Sequence, residues 1–138
     1  MNNILEDFDV ADIIRKQGEI ERRLDVLSQT FRVVGETNQP AFANSWVNHS
    51  STYNSAGFYR DVLERVWLRG FIKSGTIGQT AFILPDGYRP QKTEVLQAIS
   101  DNGAATLVSY VSIDTAGLVK PAIGANGWFS LDGLSFKL

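Results

Sequence analysis

VADIIRKQGEIERRLDVLSQTFRVV, residues 10–34, is the stretch on which the reading of the fold turns. Taken in alternating steps of three and four, it yields Val10, Ile13, Gln17, Ile20, Leu24, Leu27, Phe31 and Val34 without a miss. That is a heptad seam, with Val10, Gln17, Leu24 and Phe31 at a and Ile13, Ile20, Leu27 and Val34 at d. A stripe this narrow buries itself against copies of the same helix, so the expectation is a self-associating coiled coil about 37 Å long. Isoleucine at d with leucine at a favours more than two strands, and Gln17 is the polar a residue that would set the register. An amphipathic helix packed on its own domain is the plainer alternative. The charged flanks Glu19, Glu21, Arg22, Arg23 and Asp25 speak for the coil.

Outward from the seam, the punctuation is clear at both ends. Asp9 is placed to cap the helix, and Asp7, Asp9 and Asp12 oppose the positive end of its dipole. Ile4, Leu5 and Phe8 precede it off the heptad register, and either dock on a neighbouring protein, fold back or fray. Gly35 followed by Pro40 reads as a helix stop. The expected organisation is therefore a neck over 1–36 and a head over 37–138.

Past residue 40, branched and aromatic residues alternate with polar ones between Gly, Asn and Asp, which is the texture of an all-β chain. Ala41 to Val47 reads as a first strand with Phe42 and Trp46 on one face. A hairpin is expected over residues 57–73 around Asp61–Glu64. In its second arm Val66, Leu68, Gly70 and Ile72 share one face, with Trp67, Arg69, Phe71 and Lys73 on the other. Pro85-Asp86-Gly87 marks a turn, and Asn102-Gly103 between two alternating runs is a strong hairpin signal. About eight short strands in about 100 residues predict a sandwich or jelly-roll-like head.

Composition narrows the chemistry. The 138 residues carry a net charge of -2 and no cysteine. No basic block marks a nucleic-acid footprint. Disulfides, thiolate metal sites and cysteine nucleophiles are excluded. No signal peptide and no membrane span is legible, which fits synthesis in a cytoplasm. His49 is the one histidine; it reads as a loop residue, with three copies meeting on a trimer axis as the alternative. No nucleophile elbow, zinc-protease, P-loop or dinucleotide motif occurs. Asp61 with Glu64, or Asp86 with Asp132, are conceivable acid pairs, but all four lie at turn signals where acids bond their own backbone. No cofactor and no metal is expected, nor enzymatic turnover.

Three ordered stretches go beyond composition: GFYRDVLERVWLRGFIKSG (57–75), FILPDGYRP (82–90) and GWFSLDGLSFKL (127–138). Together they resemble a β-domain found at the C-terminal end of phage tail-fibre and tail-appendage proteins, and the resemblance covers nearly all of residues 57–138. It departs from the pattern at Glu64, where a turn glycine is usual, so that turn either differs in shape or requires a strained left-handed residue. The resemblance implies a trimeric head on a stalk, which makes three the expected number for a parallel trimeric coiled coil over residues 10–34, in the virion, attaching to a host surface or decorating the particle. The N-terminal segment would join other virion proteins. A sugar site needs an aromatic platform beside polar groups. Asp86, Tyr88, Arg89 and Lys92 make one such mixture, and Tyr53, with Trp128, supplies further loop aromatics. Packing of Tyr88 beneath the Pro85–Pro90 turn is the competing role. A cap without a ligand and a surface hydrolase are the other functional readings.

Overall fold

The computed structural model describes residues 9–27 and 30–138, with the side chains of 24–27 outside that description. One helix, α1 (Val10–Leu27), precedes eleven strands. These are β1 (Arg32–Val33), β2 (Val47–Asn48), β3 (Gly57–Arg60), β4 (Arg65–Arg69), β5 (Phe71–Lys73) and β6 (Phe82–Ile83). There follow β7 (Glu94–Asp101), β8 (Thr106–Ile113), β9 (Leu118–Ile123), β10 (Trp128–Ser130) and β11 (Ser135–Lys137).

The helix begins where expected. The Asp9 carboxylate accepts the Ala11 N–H at 3.0 Å and its carbonyl accepts the Ile13 N–H at 3.0 Å. Asp12 accepts from Arg15 and Lys16 on the next turn. The coiled coil expected over residues 10–34 is not what forms. The helix is 18 residues long, and a coil needs at least three to four heptads. Val10, Ile13, Gln17 and Ile20 lie on an exposed helix, while the side chains of Leu24 and Leu27 fall outside the described residues. Phe31 and Val34 leave the seam altogether. They flank β1, which pairs with β3 through Arg32↔Phe58 and Val33↔Gly57. Val34 is buried in the core of the β-domain. Phe31 lies over Gly57, where a Cβ would come within 2.3 Å of the ring. Gly35 sits at φ +91° in the turn after β1 rather than at a helix end. The apolar Ile4, Leu5 and Phe8 lie outside the described residues.

The β-domain is two antiparallel sheets: β1-β3-β4-β11, and β2-β5-β10-β7-β8-β9-β6. The larger sheet is drawn round into a half-barrel. Its edge strands β2 and β6 are bridged just before each begins, by the Ala43 N–H on the Ala81 carbonyl (2.8 Å) and Asn44 Nδ2 on the Thr80 carbonyl (2.7 Å). This protects edges that would otherwise stay unpaired. Between the sheets lies one core, with Trp46, Phe58, Leu68, Ile72, Phe82, Phe129 and Phe136 all buried. Its inward residues follow the strand period of two: Val66, Leu68 and Ile72 are fully buried, as their shared face requires. The expected strand over 41–47 shrinks to β2, because Asn44 and Ser45 take left-handed backbone (φ 54° and 67°). That turn swings Trp46 into the core, against the edge of Phe129 at 6.2 Å.

Two strands pass from one sheet to the other at a shared corner. β4 becomes β5 at Gly70, and β10 becomes β11 through Leu131–Leu134. Gly70 has φ +130°, and a Cβ there would meet the Ala56 Cα at 2.4 Å. Its N–H is received by Asp132 Oδ1 at 2.8 Å, while its carbonyl accepts the Leu131 N–H at 2.8 Å. The same Asp132 oxygen accepts from Asn54 Nδ2 at 3.4 Å. A third passage, from β2 to β3, is held by Asn48 Oδ1, which accepts the Ala56 N–H at 2.8 Å.

The corner predicts two costs. Asp132→Ala leaves the buried Gly70 N–H without its acceptor and is expected to destabilise by about 1–3 kcal/mol. Gly70→Ala adds backbone overlap and a strained φ, and is expected to cost about 3 kcal/mol or more. Urea midpoints at an unchanged m-value measure both; a loss under about 0.5 kcal/mol in each would refute the corner's role.

Candidate functional site

The turn at 85–92 gathers most of the predicted ligand residues and uses them internally. Asp86 pairs with Arg89 at 2.9 Å. Arg89 Nε also donates to the Leu84 carbonyl at 2.8 Å, and Arg60 donates to the Gly87 carbonyl at 3.1 Å. Tyr88 is half-buried, edge-on to Phe58 at 5.3 Å, with the Arg32 guanidinium 5.0 Å from its ring centroid. Gly117 packs under the same turn, where a Cβ would come within 2.6 Å of the Leu84 carbonyl oxygen. Lys92 is exposed in the loop before β7. Thus Asp86 and Arg89 are engaged within the turn, while Tyr88 packs the turn against β3 and β1.

The acids considered as pairs are similarly engaged. Asp61 Oδ1 accepts the Leu63 and Arg65 N–H groups at 2.9 and 3.0 Å, and Oδ2 accepts Trp67 Nε1 at 2.9 Å. The Trp67 indole first, then the backbone donors, hold this carboxyl below its ordinary 3.8. Glu64 closes the hairpin at φ +61°, the left-handed one of the two outcomes the missing glycine left open, and faces Arg60 at 3.4 Å. Asp132 serves the corner.

Tyr53 belongs to a different and more open arrangement. It stacks on Phe71 with centroids 4.7 Å apart, and Phe71 stacks in turn on Trp128 at 4.7 Å. His49 meets the edges of Tyr53 and Phe71 at 5.2 and 5.6 Å. The 4.7 Å spacing is that of neighbouring strands, so the rings stand as a ladder on the outer face of the half-barrel. The 48–55 loop is pinned there by the His49 N–H on the Phe71 carbonyl and the Phe71 N–H on the Asn54 carbonyl. Tyr53 remains half exposed at the free end of the stack, and so offers an open ring face.

Beside this ladder runs a groove of about 310 Å³ lined by Gln97, Ala98, Ile99, Ser130, Asp132 and Leu134. Ser130 is paired across the ladder with Phe71, which joins groove and rings on one surface. An amide, a hydroxyl and a carboxylate beside apolar Ile99 and Leu134 suit a hydroxyl-rich ligand. The lining holds one carboxylate and no cation, so it lacks the charge an anionic ligand would need. Sequence reasoning named Tyr53 and Trp128 but missed Phe71, His49, Gln97 and Ser130. The available signal was Phe71 on the strand face opposite Ile72, a bulky side chain that only non-local neighbours can cover. Among the described residues, no group of His, Asp and Glu is placed to hold a metal, and no helix is long and apolar enough to cross a membrane.

The Asp61 geometry makes a pH prediction. Its folded pKa lies below the unfolded one, so its contribution is present above about pH 4 and is lost as pH falls through the folded value. Asp61→Asn is expected to reduce the drop in melting temperature between about pH 6 and about pH 3; an identical drop would sink the assignment.

No family model and no curated protein matches the chain. Among solved structures, the fold is similar to that of the receptor binding protein (gp15) of Listeria phage PSA. The TM-score is 0.63 at 14% identity, over 99% of this chain and 80% of that one, a likeness of fold alone.

Proposed function

We propose that the protein is a phage virion component that attaches the particle to a host surface, displaying its β-domain as a homotrimer. One observation carries the proposal: the whole arrangement of helix and β-domain is similar to that of a phage receptor binding protein, at TM-score 0.63. The ordered motifs at 57–75, 82–90 and 127–138 point the same way from sequence. In this reading the protein binds rather than turns over its ligand, uses no cofactor or metal, and engages neither nucleic acid nor the bilayer. The N-terminal segment joins other virion proteins after synthesis in the host cytoplasm. The receptor is a cell-surface glycan, taken by the Tyr53 ring face and the Ser130–Asp132 side of the groove. Three linked domains offset weak single sites through effective concentration.

Adsorption of the labelled protein to candidate host cells tests this reading. Saturable binding that is competed by purified surface polysaccharide is the expected result. Tyr53→Ala is expected to weaken it about tenfold, the scale of one lost stacking contact of about 1.4 kcal/mol. Tyr88→Ala serves as the contrast: it is expected to lower stability instead. Binding to no host envelope would favour a particle-decorating cap.

A further inference from the structure

The outer face of β7, β8 and β9 carries more apolar surface than a solvated sheet needs. Val95, Ile99, Val108, Tyr110 and Ile123 are 63%, 50%, 76%, 36% and 52% exposed. They are neighbours. Ile99 is directly opposite Val108, Gln97 opposite Tyr110, Val95 opposite Ser112, and Tyr110 is paired with Ile123 on the other side. The patch is therefore about 10 Å across three strands and about 13 Å along them. Gln97 and Ser112 interrupt it, Lys120 beside Ser112 occupies one corner, and Asp101 lies beyond the opposite end.

We infer that this face packs against copies of the same chain, and that it is the surface through which the β-domains associate. The inference rests on the self-associating reading above and names the surface responsible. Three observations favour a copy over another occupant. The first is area: the five side chains offer on the order of 500 Å² of apolar surface, near the limit for a monomer. That is also most of the roughly 800 Å² per partner of a stable interface. The second is charge. Near a rotation axis each residue faces its own copies, so a charged strip would repel itself, whereas this one holds a single charge, Lys120, at one corner. The third is the state of the sheet edges. In the larger sheet they are two-residue strands bridged by Ala43 and Asn44, so association of this sheet by strand addition is disfavoured and its outer face is left.

The test is sedimentation of the full chain at micromolar concentration, with Ile99→Lys/Val108→Lys as the variant. Both positions are exposed in the single chain, so folding is spared, and circular dichroism checks this. The expected result is a trimer for the natural sequence and a folded monomer for the variant. Ile123→Lys alone repeats the test should the double variant misfold. Ile20→Asp on the exposed α1 is expected to leave the mass of the trimer unchanged. A variant that stays trimeric overturns the surface and leaves the association standing. So does dispersal by Ile20→Asp with Ile99→Lys/Val108→Lys still assembled. A natural chain that is monomeric at about 100 µM, far above a micromolar Kd, overturns both, and assigns the face to a different virion protein.

Discussion

The hydrogen bond from the Gly70 N–H to Asp132 Oδ1 is the constraint on which the β-domain depends. Two sheets sharing one core need chain segments that cross between them, and each crossing breaks a ladder and strands a backbone donor. Here β4–β5 and β10–β11 cross side by side. The carboxylate of one crossing receives the donor of the other, and Gly70 permits the close approach to Ala56. Asn48 does the same for the Ala56 N–H at the third crossing. Without these acceptors a buried N–H would lose its partner at a cost comparable to a sizeable part of a domain's net stability. The closure of the two sheets over Phe58, Phe129 and Phe136 would be weaker by that amount.

This corner also gives physical content to the recurrent motifs. LRG ends at Gly70 and SLDG contains Asp132, so two stretches 62 residues apart are halves of one joint. The LPDGYRP turn is a second joint. Arg89 on Leu84 and Asp86, Arg60 on Gly87, and Tyr88 between Phe58 and Arg32 tie the end of β6 to the smaller sheet. Residues that look like ligand groups in one dimension are thereby occupied in three. On the outer face of the half-barrel, the Tyr53–Phe71–Trp128 ladder and the polar groove lie beside the apolar strip of β7–β9. Ile99 stands at the boundary, lining the groove and belonging to the strip.

The heptad reading shows how periodicity can mislead at an element boundary. The three-four spacing continues through Phe31 and Val34, but those residues are used by the β-domain. Phe31 seats on Gly57 beneath the Arg69 guanidinium, 5.6 Å from its ring, and Val34 enters the core behind β1. An apolar residue at heptad spacing is equally an apolar residue one turn past the helix, and only the partner decides between them.

What the sequence by itself determined is what local chemistry controls. The Asp9 cap and the Asn102-Gly103 and Pro85-Asp86-Gly87 turns rest on contacts within a few residues, where backbone sterics and short hydrogen bonds dominate, and the apolar alternation of Val66, Leu68 and Ile72 marks their inward face. The tertiary structure alone decided where the helix yields to β1, that Gly70 and Asp132 meet, that Phe71 joins Tyr53 to Trp128, and which sheet face stays uncovered. Those outcomes depend on residues tens of positions apart competing for the same space. A one-dimensional pattern records that a side chain is apolar, but the residue that will cover it is set by the closing of the two sheets.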